Sequence, residues 1–251
     1  MDLPGQPALT SAPLSIDLPV PERALAIGAH PDDVEFGCGA TLAKWAAAGC
    51  IINHLICTDG SKGTWDVHAD TASLVARRRD EQREAARRLG STGEVIFLSW
   101  PDGELDSGLR QRWQVAYWIR KTRPDVVLGH DPWRRYRLHP DHRHAGFLAC
   151  DAIVAARDPH FFPEQELDHH RPQSLLLWEA DEVDHLERVD SYVEPKLHAL
   201  EAHESQFEST MKATDTEQLA AFRARITQRL ADIGRRADCE AAEAFKLISE
   251  I

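Results

Sequence analysis

Short, unbroken apolar runs alternate with longer segments of helical period along most of the chain. Residues 24–29, 51–58, 95–98, 125–129 and 174–178 read as strands. Between them, 39–49, 71–89, 111–122 and 141–157 read as helices, with Gly90 and Pro124 marking two of the ends. Residues 195–206 and 217–245 are rich in alanine and in acid–base pairs four apart, and are also predicted to be helical. Strands that are apolar on both faces and alternate with helices imply an α/β fold. The expectation is a single Rossmann-like domain, a mostly parallel sheet with helices on both faces. That domain is expected over 23–251. Residues 1–22, where prolines recur, read as an extended N-terminal arm, and no repeat or linker divides the rest.

Length and charge narrow the function. At 251 residues the chain holds one large core rather than two comfortable domains. Its 41 acidic residues against 29 basic give a net charge of −12, the wrong sign for tracking phosphates. No nucleic-acid partner is therefore expected, and a solvated acidic surface accounts for most of the charge. No apolar run nears the roughly 20 residues of a membrane span, so no membrane association is expected. The first segment has no basic residue before Arg23 and lacks the make-up of a signal peptide. Five cysteines, an odd number without CxxC spacing, read as free thiols of a cytoplasmic protein.

Parallel α/β sheets bind ligands outside the carboxyl ends of their strands. The polar residues here follow that rule. His30-Pro31-Asp32-Asp33 comes after the first strand, residues 58–63 after the second, and Pro101-Asp102-Gly103 after the third. His130-Asp131 and then His139-Pro140-Asp141-His142 come after the fourth. His30 and one neighbouring Asp offer a nitrogen and an oxygen suited to zinc. Adjacent carboxylates in an extended turn point apart, which leaves one Asp for another task. A catalytic zinc takes three protein ligands and keeps one open position. His30, one of Asp32 and Asp33, and one of His139 and His142 fill that count. The remaining Asp and His then form an acid–base pair.

Each motif alone has an ordinary explanation, since His-Pro and Asp mark turns and Asp141 suits a helix N-cap. Both together at one end of a parallel sheet point to a metal. Cys38, close to the first motif, reads as a buried helix residue rather than a ligand. There is no GxSxG elbow, no P-loop and no dinucleotide fingerprint, so no nucleotide cofactor is expected.

Six stretches carry a resemblance: AHPDDVEFGCGATLAK (29–44), RRDEQREAARRLG (78–90), PDG (101–103), PDVVLGHDP (124–132), HPDH (139–142) and KLHALEAHESQF (196–207). In this order they resemble the LmbE-like, or PIG-L, N-acetylglucosaminyl deacetylase family, over about residues 23–247. Val34-Glu35 after HPDD looks nearer the bacillithiol-pathway branch than the mycothiol-pathway branch. The resemblance implies hydrolysis of an N-acyl group, usually acetyl, on an amino sugar or glucosaminyl conjugate, with one Zn2+ per chain and Fe2+ as the alternative metal. It implies His30, Asp33 and His142 as ligands and Asp32 as general base. It implies His139 as oxyanion stabiliser or proton donor to the leaving amine, with Asp141 orienting it, and Arg78 as a sugar contact. A homo-oligomer is expected as well, since relatives are often oligomeric and 195–245 carries more apolar residues than an edge needs.

The loop Trp133-Arg134-Arg135-Tyr136-Arg137 is unusual in so acidic a chain. It reads either as a solvated loop or as a platform for an anion and a sugar, with Arg135 as a substrate contact and Trp65 as a further stacking surface. Two other functions stay open at this stage. One is a metal amidase acting on a non-sugar amide, such as a thiol conjugate or natural product. The other is a non-catalytic binding protein, against which the presence of both Asp32 and His139 argues.

Overall fold

Leu25 and Ile27 point to one side of the first main strand, Ala24 and Ala26 to the other, and all four are fully buried. That double burial forces helices onto both faces. A computed structural model of the protein describes residues 14–251 and the backbone of Ala8–Leu9. Its strands are β1 (Ala8–Leu9), β2 (Ser15–Ile16), β3 (Arg23–Gly28), β4 (Ile51–Thr58), β5 (Val95–Trp100), β6 (Val126–His130), β7 (Ser174–Trp178), β8 (Glu182–Val183), β9 (His185–Arg188) and β10 (Ala242–Ser249). Its α-helices are α1 (Asp33–Ala47), α2 (Thr71–Arg88), α3 (Leu109–Thr122), α4 (Pro140–Arg157), α5 (Val193–Leu200) and α6 (Thr216–Gly234). Eight strands form the main sheet in the order β2-β9-β10-β7-β6-β3-β4-β5, and β1 pairs with β8 apart from it.

β3 lies between β4 and β6, parallel to both. The strand order reverses there, and at such a switch point the loops leave on opposite faces and open a crevice. On one face Val115 and Ile119 of α3 and Leu148 and Ala152 of α4 pack on Leu25, Ile27 and Val127. On the other, Leu42 and Trp45 of α1, Leu89 after α2 and Ala199 of α5 pack on Ala24, Ala26 and Leu128. Two glycines allow close approach. A Cβ at Gly37 would lie 2.5 Å from the Trp178 ring, and one at Gly146 would lie 2.5 Å from the His130 carbonyl. Gly146 thus lets α4 close on the end of β6. Of the arm expected over 1–22, residues 1–13 lie outside the described part except Ala8–Leu9, while β2 joins the sheet edge beside β9.

The helix expected over 217–245 ends early. α6 stops at Gly234, and 242–245 belong to β10, which runs antiparallel between β7 and β9. Two alanines in AEAF favour helix only weakly, and pairing on both sides overrides so small a preference. Phe245 is fully buried in register with Trp178. The segment expected as helix over 195–206 divides likewise, into α5 and a 3-10 turn at Glu204–Gln206. No large apolar side chain between 195 and 245 is exposed, which corrects the expectation of surplus apolar surface there: Leu197, Leu200, Met211, Phe222, Leu230 and Phe245 are buried.

β10 also explains a break in α1. Cys38 has non-helical angles (φ −146, ψ 17), so the amides beyond it lose their helical acceptors. Glu243 of β10 accepts those of Ala40 and Thr41 at 3.2 and 2.8 Å. Lys196 of α5, itself buried, donates to Glu243 at 2.6 Å and to the Phe36 carbonyl at 2.8 Å. Removing one member of such a buried pair leaves the other uncompensated. Lys196→Met is therefore expected to cost about 3–5 kcal/mol in urea unfolding; a loss under about 1 kcal/mol would mean that Glu243 finds water or another partner.

Candidate metal centre and active site

The loops after β3, β4, β5 and β6 meet at the switch point. His30, Asp32 and Asp33 leave β3, Asp102 follows β5, and His139, Asp141 and His142 open α4. Asp33 stands between two of the expected ligands: its Oδ2 is 3.3 Å from His30 Nδ1 and its Oδ1 is 3.3 Å from His142 Nε2. The same Oδ2 accepts the His30 amide at 2.7 Å, which fixes the carboxylate at the end of the strand. The His139 ring stacks on His142, centroids 4.6 Å apart, and meets His30 edge-on at 4.7 Å. Three overlapping groups have ligand atoms within 4.8 Å of one another: His30, His139 and His142; Asp33, His130 and His142; and His30, Asp102 and Asp141.

The donor set suits a divalent cation. Imidazole nitrogens and a carboxylate oxygen are borderline-hard ligands of the kind zinc and Fe(II) take. Charge points the same way, since Asp32, Asp33, Asp102 and Asp141 are all buried around His30. Burial alone would lower the His30 pKa, but its hydrogen bonds to Asp102, Asp141 and Asp33 outweigh this and hold it well above the usual value. His142 goes the other way. Burial pushes it down to about 3, against the pull of Asp33, with His130, His30 and Arg137 adding to the fall. Its ring is thus neutral at ordinary pH, the form that binds metal.

Asp32 is held apart from this cluster. It is a buried residue with φ of 96, in the left-handed region that costs a side-chain-bearing residue of order 1–3 kcal/mol. Its Oδ2 lies 3.5 Å from Arg78 Nη2. Burial pushes the Asp32 carboxyl up to about 6; Arg78 opposes this and Asp33 adds to it.

The remaining expected residues are placed differently. Asp141, expected to orient His139, instead bonds His30 Nε2 at 3.1 Å and accepts the amides of Gly103 and Leu105 at 2.6 and 3.2 Å. It is fully buried and ties the β5 loop to α4. Arg78, expected to contact a sugar, is buried too: it donates to the carbonyls of Gly60 at 2.9 Å and Pro31 at 2.7 Å. In the arginine loop, Arg134 and Arg137 pair with Glu179, and Arg137 Nη1 also lies 2.6 Å from His142 Nδ1. The Arg135 side chain is exposed and makes no ion pair among the described residues, as are Trp65, Trp133, Tyr136 and Leu138 on neighbouring loops. The Cys38 thiol is buried against the Val34 carbonyl, outside every group of ligand atoms.

Two residues stood in the sequence without a role. Asp102 Oδ1 is 3.2 Å from His30 Nε2, so two carboxylates hold the side of the ring turned away from Asp33. Metal-binding imidazoles are commonly oriented this way. His130 Nε2 is 3.3 Å from Asp33 Oδ2, while its Nδ1 accepts the Trp178 indole N–H at 3.0 Å. An indole can only donate, so Nδ1 is an acceptor there, and the Nε2 edge faces Asp33 and the Ala29 amide, 3.4 Å away. Both lie in stretches that the sequence had singled out, PDG after one strand and GHDP at the end of another, but neither stretch shows which residue its polar group bonds.

A family model described as GlcNAc-PI de-N-acetylase (PIG-L) matches residues 25–153. The diacetylchitobiose deacetylase of Thermococcus kodakarensis is 36% identical over 189 residues, covering 74% of this chain and 70% of that protein. A 1D-myo-inositol 2-acetamido-2-deoxy-alpha-D-glucopyranoside deacetylase of Streptomyces avermitilis is 34% identical over 174 residues, covering 59% of this chain and 58% of that one. Among solved structures, the N,N'-diacetylchitobiose deacetylase of Pyrococcus horikoshii, bound to an inhibitor, superposes with a TM-score of 0.83. It is 28% identical and the match covers 91% of this chain and 84% of the other.

Because Arg78 joins the β3 and β4 loops, Arg78→Met should loosen them. Each hydrogen bond from a charged donor is worth about 1.5–3 kcal/mol. The loss should appear as a lower urea midpoint; an unchanged midpoint would show that the loops hold each other without the guanidinium.

Proposed function

The chain belongs to the GlcNAc-PI de-N-acetylase (PIG-L, LmbE-like) family, and we propose that it hydrolyses the N-acetyl group of an amino sugar or glucosaminyl conjugate with the help of one bound divalent metal, zinc. The observation that carries this reading is Asp33 between His30 and His142, with the buried Asp32 beside it. We assign His30, Asp33 and His142 as the ligands. When bound, the ion supplies Lewis acidity: it acidifies water and polarises a carbonyl.

The chain's own groups supply the proton transfers. Asp32 takes a proton from the attacking water as its oxygen joins the acyl carbon. His139, at the open side of the cluster, gives a proton to the nitrogen as the C–N bond breaks. Acetate and the free amine leave. Asp141 and Asp102 hold the His30 ring, and Arg78 sets the charge beside Asp32. Trp65, Trp133 and Tyr136 offer exposed rings on which a sugar face can stack, and we read the exposed Arg135 as the contact for an anionic group on the substrate. We take the protein to be cytoplasmic, a reading that its free thiols support. All five cysteines are free thiols, and no helix of the described residues is long and apolar enough to cross a membrane.

Two measurements test the assignment. Purified His142→Ala should lose most of its bound zinc by elemental analysis; full stoichiometric zinc would remove His142 from the ligand set. Asp32→Asn keeps the size of the side chain but cannot accept the proton, so it should retain metal and lose about 10²–10⁴-fold in kcat. Near-normal turnover of N,N'-diacetylchitobiose with metal bound would remove Asp32 from the base role.

A further inference from the structure

The peptide between Pro31 and Asp32 is gripped at both ends by α2. Arg78 Nη2 donates to the Pro31 carbonyl at 2.7 Å, and the Asp32 amide donates to Gln82 Oε1 at 3.0 Å. Residues 78 and 82 are four apart and so share one face of the helix. This peptide leads into the left-handed angles of Asp32 (φ 96), so its plane decides where the Asp32 carboxylate points. A residue kept at such angles needs surroundings that over-determine it.

Gln82 can accept the Asp32 amide only with its oxygen turned that way. Its side-chain Nε2 donates to Glu35 Oε1 at 2.7 Å, and a carboxylate only accepts, so Glu35 dictates the orientation of the amide. Glu35 in turn is held by His203, whose Nε2 lies 3.2 Å from Glu35 Oε2. Gln82, Glu35 and His203 are each fully buried, so water offers no substitute. The chain of bonds runs from the segment after α5, through α1 and α2, to the backbone of Asp32.

We propose that Gln82, oriented by Glu35 and His203, is a positioning residue for Asp32. The proposal rests on the reading of Asp32 as the general base. It accounts for the presence of a histidine and a glutamate in two distant motifs, neither of which touches the cluster of ligand atoms.

The test uses the metal-loaded protein and N,N'-diacetylchitobiose, comparing wild type with Gln82→Met, Gln82→Glu, Glu35→Gln and the double variant Gln82→Glu/Glu35→Gln. Gln82→Met should lower kcat by about 10²-fold, the cost of misplacing a reacting group by about 1 Å, with KM and bound metal at wild-type levels. Gln82→Glu sets two carboxylates against each other and should be worse. In the double variant the amide and the carboxylate exchange places: residue 35 donates to residue 82 and accepts from His203, and residue 82 accepts the Asp32 amide. Most of the lost kcat should return.

Hydrogen exchange of the Asp32 amide gives a second reading: slow in wild type and the double variant, fast in Gln82→Met. Wild-type kcat in folded, loaded Gln82→Met would overturn the proposal, as would a double variant worse than both single ones. If Gln82→Met does not fold, the exchanged pair decides alone. Asp32→Asn separates the two claims. Wild-type turnover there would sink the base reading itself, whereas a slow Asp32→Asn beside an unimpaired Gln82→Met would sink only the positioning role.

Discussion

The arrangement depends on the burial of four carboxylates around one imidazole at the end of β3. Asp32, Asp33, Asp102 and Asp141 are all less than a tenth exposed. Unpaired, each would cost several kcal/mol to remove from water. His30 contacts three of them and Arg78 approaches the fourth. These groups leave negative charge in excess, which a divalent cation would balance. The sheet's switch point makes the cluster possible, because it delivers loops from four strands to one place.

Compensation of this kind reaches well beyond the cluster. Asp141 accepts two amides from the β5 loop, Asp102 accepts the Lys62 amide from the β4 loop, and Arg78 donates to two carbonyls of the β3 and β4 loops. Residues far along the chain then clamp the helices that carry these groups. Lys196 closes the break in α1, Ser205 donates to Glu81 of α2, and Gln206 donates to the Gly63 carbonyl. The segment 196–207 therefore acts on the site through packing and hydrogen bonds rather than by reaching into it.

What could be read in the sequence follows from how local each feature is. The parallel strands were legible because burial on both faces writes continuous apolar runs, and β4 and β7 have the expected bounds. HPDD was legible because it sits directly after a strand, and HPDH because it opens the helix that follows another such strand's loop. The partners of those residues were not: Asp141 lies 111 positions from the His30 it bonds, and no local pattern announces such a pairing. The same holds for the ion pairs of Glu179 with Arg134 and Arg137, which turned two arginines of an exposed-looking loop inward. β10 was missed for a related reason. Its alanines suit a helix, and only the gap between β7 and β9 makes it a strand.

His30 and His142 each belong to two overlapping groups of ligand atoms, so the position of the ion is the direct test of the account. Crystals of the zinc-loaded protein, measured on either side of the zinc absorption edge, would give an anomalous map. The account predicts one strong peak about 2.0–2.2 Å from His30 Nδ1, an Asp33 oxygen and His142 Nε2, with the Nε2 side of His30 still facing Asp102 and Asp141. A peak bound instead through His30 Nε2, Asp102 and Asp141 would contradict it, and would move the open coordination position away from Asp32 and His139.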